Sequence, residues 1–122
     1  MRCGVNLAYA VKDINRVVLT GEVVADAALA YTPRGTGVVT FTLAFSIDLH
    51  DGGQQKGTID IVCLGEVAKR CKGMVKRSAK VKVEGRLQQR SWKTPEGFYK
   101  SKTEIVADTV DTFNAGTTPE AG

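Results

Sequence analysis

The 122-residue sequence contains few of the residues that build metal centres and disulfide frameworks. It has three cysteines and one histidine, His50, whereas a structural zinc site takes about four nitrogen or sulfur ligands. The number of cysteines is odd and none are spaced as C-x-x-C, so we expect reduced thiols in a cytosolic setting. We therefore predict that the protein carries no metal and no cofactor.

Long apolar runs are also missing. No run approaches the ~20 residues that a membrane-spanning helix needs, and the first ten residues lack the apolar centre of a signal peptide. We expect a soluble, cytoplasmic protein with no membrane partner. The sequence has no nucleophile motif, no phosphate-binding glycine loop and no HExxH. Nothing in it supports catalysis, and we predict that it is not an enzyme.

The charge balance is mildly basic. Lys and Arg number 17 against 13 Asp and Glu, which gives a net charge of +4. Such an excess favours a polyanionic partner, although many basic proteins bind neither nucleic acid nor anionic lipid. The length suits one domain with a hydrophobic core.

The pattern of side chains predicts an all-β protein. Five segments have the β-branched, alternating composition of strands, namely residues 16–24, 38–46, 58–64, 80–92 and 98–113. One helical window, residues 66–76, lies between the third and fourth segments. This order predicts a five-stranded OB-fold Greek-key barrel with one short helix between strands 3 and 4. Val81, Val83 and Leu87 are expected to face the core, as is Ile105.

Several stretches carry a resemblance to a known family. They are residues 14–21 (INRVVLTG), 31–33 (YTP) with 39–44 (VTFTLA), 81–87 (VKVEGRL) followed by Arg90 and Trp92, and 103–108 (TEIVAD). In this order they resemble the bacterial single-stranded DNA-binding proteins, an OB-fold family, over about residues 14–113. The resemblance implies that single-stranded DNA is the partner, held by aromatic stacking and phosphate contacts during replication, recombination and repair. It also implies a homotetramer, with a dimer as the alternative, at the bacterial nucleoid.

The same resemblance suggests how the chain is divided. Residues 1–13 would be an N-terminal arm, 14–113 the OB-fold single-stranded DNA-binding domain, and 114–122 a short flexible C-terminal tail. The family carries a long tail ending in an acidic, aromatic-tipped peptide that recruits replication and repair enzymes, and residues 119–122 (PEAG) have no such peptide. If the sequence is complete, we expect that recruitment to be absent. The short tail and few aromatics are similar to the primosomal replication protein, a dimeric relative of the family.

The resemblance and the strand alternation both indicate candidate DNA-binding residues. Trp92 falls where the family has a stacking tryptophan, and Phe98 and Tyr99 follow across the hairpin. We expect one of these two to face outward and the other to be in the core, with Tyr99 as the candidate to extend the platform. The resemblance places family basic positions at Arg16, Lys76, Arg77 and Arg90. Alternation along one strand adds a stripe, interrupted by Glu84, that consists of Lys80, Lys82, Arg86 and Arg90.

Other interpretations remain open at this point. The alternative to stacking, which we favour less, is that Trp92 packs in the core or against its hairpin. The alternative for the basic residues is a solvated strand face. The other family stacking positions hold Leu49, Thr58 and Leu64 here. This departure supports an alternative function, a protein-interaction subunit of a replication or primosome complex with weak nucleic-acid binding. An RNA-directed binder shares the same surface chemistry.

Overall fold

Alternating apolar and polar residues give this chain long strands with one buried side. The computed structural model describes residues 13–113, so the expected arm, except for Asp13, and the expected tail at 114–122 lie outside the described residues. Within this range, six strands and one helix follow in order: β1 (Val17–Val23), β2 (Ala28–Tyr31), β3 (Gly37–Asp48), β4 (Gln54–Leu64), α1 (Gly65–Cys71), β5 (Lys80–Lys93) and β6 (Tyr99–Phe113).

Five of the strands close into a barrel. Their order is β1-β5-β6-β4-β3, and β1 pairs with β3 to complete the ring. The β4–β6 pair is parallel, and the other pairs are antiparallel. The predicted OB-fold barrel with a helix between its third and fourth strands is confirmed. The short strand β2, which pairs with β3 outside the ring, was not predicted, because residues 25–30 have little strand-like alternation.

Closure of the barrel depends on Gly21. At Glu22, β1 is paired with Lys80 of β5 on one side and with Ala44 of β3 on the other. A Cβ atom on Gly21 would lie 2.1 Å from the carbonyl oxygen of Ala44. Only glycine leaves room for β3 to come this close, which explains the glycine inside a strand pattern.

The core is filled by branched aliphatic side chains from the ring. Val81, Val83 and Ile105, all predicted to face inward, are at most 1% exposed. Burial of such side chains is the main stabilising contribution to the fold, at ~1.5–3 kcal/mol each. Cys63 of β4 and Cys71 of α1 are fully buried, with their Sγ atoms 3.6 Å apart. The hydrogen bond from the Cys71 thiol, together with burial, raises the pKa of Cys63, so the Cys63 thiol stays protonated.

Two expectations are wrong at the ends of elements. The helix was predicted to reach Lys76 but ends at Cys71, because Gly73 has a low helix propensity and lies in the turn that follows. Leu87 was predicted to face the core but is 46% exposed. From Arg86 to Lys93 every residue of β5 is exposed. The pairing of β1 with β5 stops at Gly85, so beyond this point β6 is the strand that β5 pairs with, and the end of the hairpin projects from the barrel.

A bulge marks the hairpin where it begins to leave the barrel. Glu84 pairs with Thr109, whereas the next residue, Gly85, pairs with Ala107. Asp108 is therefore an extra residue on β6, and its carboxylate points to solvent beside Arg86.

Candidate nucleic-acid interface

One side of the β5–β6 hairpin combines an aromatic ring with several cations. Residues two apart on a strand share a face, and directly paired residues share it across strands. Trp92 pairs with Lys100, Arg90 with Lys102 and Gln88 with Glu104. We call this surface the β5–β6 face, and it consists of Arg86, Gln88, Arg90, Trp92, Lys100, Lys102 and Glu104.

Trp92 is positioned by its own strand. Its side chain is 41% exposed, and the guanidinium carbon of Arg90 lies 5.5 Å from the centroid of its ring. This geometry is that of a cation–π contact. The indole is thus held near the outer end of the β5–β6 face and remains accessible.

Tyr99 lies on the opposite side of the hairpin. It pairs with Lys93, whose Nζ lies 5.6 Å from the centroid of the tyrosine ring. Phe98 and Tyr99 are 68% and 78% exposed, so the prediction that one of them is in the core is wrong. At this end of the hairpin the two strands lie beyond the barrel core, so neither side chain has a core to pack into. Tyr99 therefore does not extend the Trp92 platform on the same side.

A charge network occupies the centre of the β5–β6 face and the adjoining β4. Glu104 is 2% exposed, and its Oε1 accepts a hydrogen bond of 2.7 Å from Arg90 Nε and one of 3.1 Å from Gln88 Nε2. Lys102 donates to Asp60, which also accepts a hydrogen bond of 2.7 Å from the Thr42 hydroxyl.

The ion pairs in this network shift the acidity of two of its members. The hydrogen bond from Lys102 holds the pKa of Asp60 below its ordinary value, and that from Arg90 to Glu104 raises the pKa of Arg90. Both groups stay charged at neutral pH. The centre of the face is therefore held together by opposite charges rather than being uniformly cationic.

The predicted basic stripe on β5 is largely paired with carboxylates. Besides Arg90–Glu104, the ion pairs are Arg16–Glu84 (2.9 Å), Lys80–Glu22 (3.2 Å), Lys82–Glu84 (3.4 Å) and Arg86–Asp108 (3.5 Å). Exposed pairs of this kind are worth ~0.2–1 kcal/mol, so a phosphate can replace the carboxylate partner. The four cations of the stripe share one side of β5 with Glu84 among them, and the paired carboxylates partly cancel their positive potential.

Lys76 and Arg77 lie apart from Trp92. Both are exposed in the segment between α1 and β5, next to Ser78 at φ 73°. The backbone N–H of Arg77 donates to Asp26 at 3.0 Å. This segment enters β5 at Lys80, and Trp92 is near the other end of that strand. The structure does not bring these two predicted residues into the β5–β6 face.

Two cations of the face were not predicted. Lys100 is exposed directly opposite Trp92, and Lys102 is directly opposite Arg90. The alternation of the return strand was a usable signal, but their position beside Trp92 depends on the hairpin register. Of the family stacking positions without an aromatic, Leu49, Thr58 and Leu64 are all exposed.

The structure also has a cleft on a different part of the barrel surface. This cleft of about 380 Å³ separates α1 from the β2–β3 hairpin, with Leu29, Tyr31, Lys69 and Lys72 among its lining residues. It shares no residue with the β5–β6 face. Across residues 13–113 no helix is long and apolar enough to cross a membrane, and no three His, Cys, Asp or Glu side chains are grouped as metal ligands.

Comparison with known proteins identifies the family. The model of the single-strand binding protein family matches residues 14–113. The chain belongs to this family. A single-stranded DNA-binding protein of Streptococcus pyogenes serotype M3 is 34% identical over 111 residues, which cover 89% of this chain and 68% of that protein. A single-stranded DNA-binding protein 2 of Staphylococcus aureus strain COL is 36% identical over 99 residues, covering 80% of this chain and 71% of the relative.

A solved structure agrees with these matches. The crystal structure of the wild-type single-stranded DNA binding protein from Thermus aquaticus has a TM-score of 0.74 and 26% identity to this chain. The match covers 84% of this chain and 51% of that one, so this chain spans about half the length of that relative. The predicted resemblance and the OB fold are both confirmed.

Proposed function

We propose that this chain binds single-stranded DNA without changing it chemically, mainly through the β5–β6 face. The observation that carries the proposal is Trp92, an accessible indole flanked by Arg90 and Lys100 on one side of a projecting hairpin. Every base has a π-face, so stacking on an indole tolerates any sequence and is worth ~1–3 kcal/mol per base. Membership of a family of binding proteins supports a function that involves no catalytic step.

Phosphate contacts are proposed for the cations around and below Trp92. Those on or beside the barrel are Arg16, Lys80, Lys82, Arg86, Arg90, Lys100 and Lys102, and Lys76 and Arg77 extend the path beyond the far end of β5. An arginine has five N–H donors, so Arg90 can bond Glu104 through Nε and still present its terminal nitrogens to a phosphate. Tyr99 is proposed as a separate contact on the other side of the hairpin.

A fluorescence titration tests the proposal directly. Trp92 is the single tryptophan, so all tryptophan emission reports on this site. Addition of oligothymidylate at low salt is expected to quench the emission, and the affinity should fall steeply as salt is added, because bound cations release counterions. Trp92→Leu, followed with a labelled oligonucleotide, is the matched control. Absence of binding by the unaltered protein at low salt would refute the proposal.

The same titration separates the proposed function from its alternatives. The family match favours DNA binding over a protein-interaction subunit with weak nucleic-acid binding. An oligouridylate of equal length tests the RNA-directed alternative. Tighter binding to oligouridylate than to oligothymidylate would point to RNA as the partner.

We further propose that the protein works as a homotetramer, with a dimer as the alternative. Large apolar side chains exposed on β1 and β2 support an assembly, among them Val18 at 52% and Leu29 at 44%. In this proposal the assembly coats single strands during replication, recombination and repair at the nucleoid of a bacterial cytoplasm, beside replication proteins. Mass photometry with and without long polythymidylate measures the assembly and its occupancy together. A monomer under both conditions would contradict this part of the proposal.

A further inference from the structure

Three residues of the β5–β6 face form a chain of contacts that ends at the stacking ring. The carboxylate of Glu104 accepts a 2.7 Å hydrogen bond from Arg90 Nε, and the Arg90 guanidinium lies over the ring of Trp92 at 5.5 Å. Arg90 and Trp92 are two residues apart on β5, and Glu104 is on the neighbouring strand, opposite Gln88. The three residues are therefore side by side on one face.

The carboxylate at the base of this chain is almost completely buried. The side chain of Glu104 is 3% exposed, whereas that of Arg90 is 52% exposed. A buried charge without partners is strongly unfavourable, so Glu104 retains the guanidinium that neutralises it. Most exposed arginines sample many rotamers, but this one is held at one end by a hydrogen bond. Its free end then covers one face of the indole.

We propose that Glu104 is a positioning residue of the single-strand site, because it holds Arg90 against one face of Trp92 and leaves the other face for a base. The proposal rests on the DNA binding proposed above and deepens it. A base entering the site completes a stack of guanidinium, indole and base. The indole is ordered before binding, so less side-chain entropy is lost when the base arrives.

The direction in which one substitution changes the affinity for DNA distinguishes positioning of Arg90 from simple electrostatics. Glu104→Gln removes a negative charge from a surface that binds a polyanion, so charge alone predicts tighter binding. Loss of the positioned guanidinium predicts the opposite. Asp108→Asn is the matched control, because it removes a carboxylate from the neighbouring Arg86 pair and leaves Arg90 and Glu104 unchanged.

The experiment compares oligothymidylate affinities of Glu104→Gln and Arg90→Lys in the full chain. Arg90→Lys keeps the charge at an exposed position, so it tests the contact even if Glu104→Gln unfolds. Each variant is expected to weaken binding about three- to ten-fold. This range corresponds to the loss of a cation–π contact together with a less ordered Trp92 side chain. In a Trp92→Leu background the same changes are expected to weaken binding by a smaller factor, because only the phosphate contact proposed for Arg90 is then left to lose. Acrylamide quenching of the free proteins is expected to show a more accessible indole in both variants.

The outcomes distinguish this inference from the function on which it rests. If the unaltered protein ignores oligothymidylate, the proposed function fails, while acrylamide quenching still reports whether Glu104 positions Trp92. If the unaltered protein binds but Glu104→Gln and Arg90→Lys bind as tightly or more tightly, the inference is overturned. Equal losses with and without Trp92 would overturn it as well, since a general structural effect does not require the indole.

Discussion

Gly85 of β5 lies so close to Val106 of β6 that a Cβ atom on Gly85 would be 2.1 Å from the Val106 carbonyl oxygen. This contact occurs at the register shift that makes Asp108 the extra residue on β6. The bulge is where the hairpin begins to project and carries Trp92 away from the barrel. The shape of the proposed site thus depends on a glycine far from its stacking ring.

Gly85→Ala should therefore destabilise the fold. The obstacle is backbone rather than a flexible side chain, so the strands must separate, and we expect the free energy of unfolding to fall by about 1–3 kcal/mol or more. Gly73→Ala is the control, because nothing lies within 4 Å of its Cβ position, and it should change stability by less than about 1 kcal/mol. Urea unfolding followed by circular dichroism at one protein concentration measures both. Equal stability of the two variants would contradict the close approach.

The two sides of the hairpin should respond differently to oligonucleotide length. Trp92→Ala is expected to weaken binding of both short and long strands by about ten-fold or more. Tyr99→Ala should leave an oligothymidylate of about eight nucleotides unaffected and weaken only longer strands that can pass around the hairpin. Anisotropy of labelled oligonucleotides measures each affinity. A loss of short-strand affinity in Tyr99→Ala would show that one strand reaches both rings at once.

The ion pairs of the stripe predict variants that bind more tightly. Asp108→Asn releases Arg86 from its 3.5 Å pair, and we expect roughly two- to five-fold tighter binding at low salt, with the gain lost as salt rises. Glu66→Gln removes the same charge from the Glu66–Lys69 pair on α1 and should have little effect. Salt-dependent titrations of both variants test this. A similar gain in both would mean that net charge, rather than the release of Arg86, governs affinity.

The barrel was predictable because its signal is local. Alternation along residues 80–83 depends only on neighbouring residues, and Val81 and Val83 are buried as expected. Ile105, expected as an inward anchor of the return strand, is buried as well. Exposure of Leu87 and Tyr99 could not be predicted in this way, because it depends on where the hairpin leaves the barrel. Alternation predicts which face of the strand a side chain lies on. It does not predict the position along the strand at which the core of the barrel ends.

The candidate site was predictable only in part for a related reason. The cationic stripe on β5 follows from one strand, and so does the partner of Lys82, Glu84. The other carboxylate partners belong to β1 and β6 and depend on pairing register. The extra residue Asp108 reaches Arg86 only through a bulge that no local pattern indicates. Lys100 likewise becomes a neighbour of Trp92 only when the return strand is in register.

Asp60 should make the stability of the barrel depend on pH. The hydrogen bond from Lys102 lowers its pKa in the folded state below the ordinary value of 3.8. The unfolded chain therefore binds the proton first as pH falls, so the stabilising contribution is complete above the ordinary value. It is lost as pH falls through the lower folded-state pKa. Asp60→Asn should be less stable than the unaltered protein by about 1–3 kcal/mol at neutral pH.

That difference should shrink below about pH 4, because protonation then removes the same charge from the unaltered protein. Urea unfolding of both proteins across this range measures it. Lys102→Gln is the control, since without the ammonium the pKa of Asp60 moves back towards its ordinary value and the pH dependence weakens. A difference between Asp60→Asn and the unaltered protein that stays constant down to strongly acidic pH would mean that the Asp60–Lys102 pair does not stabilise the fold through charge.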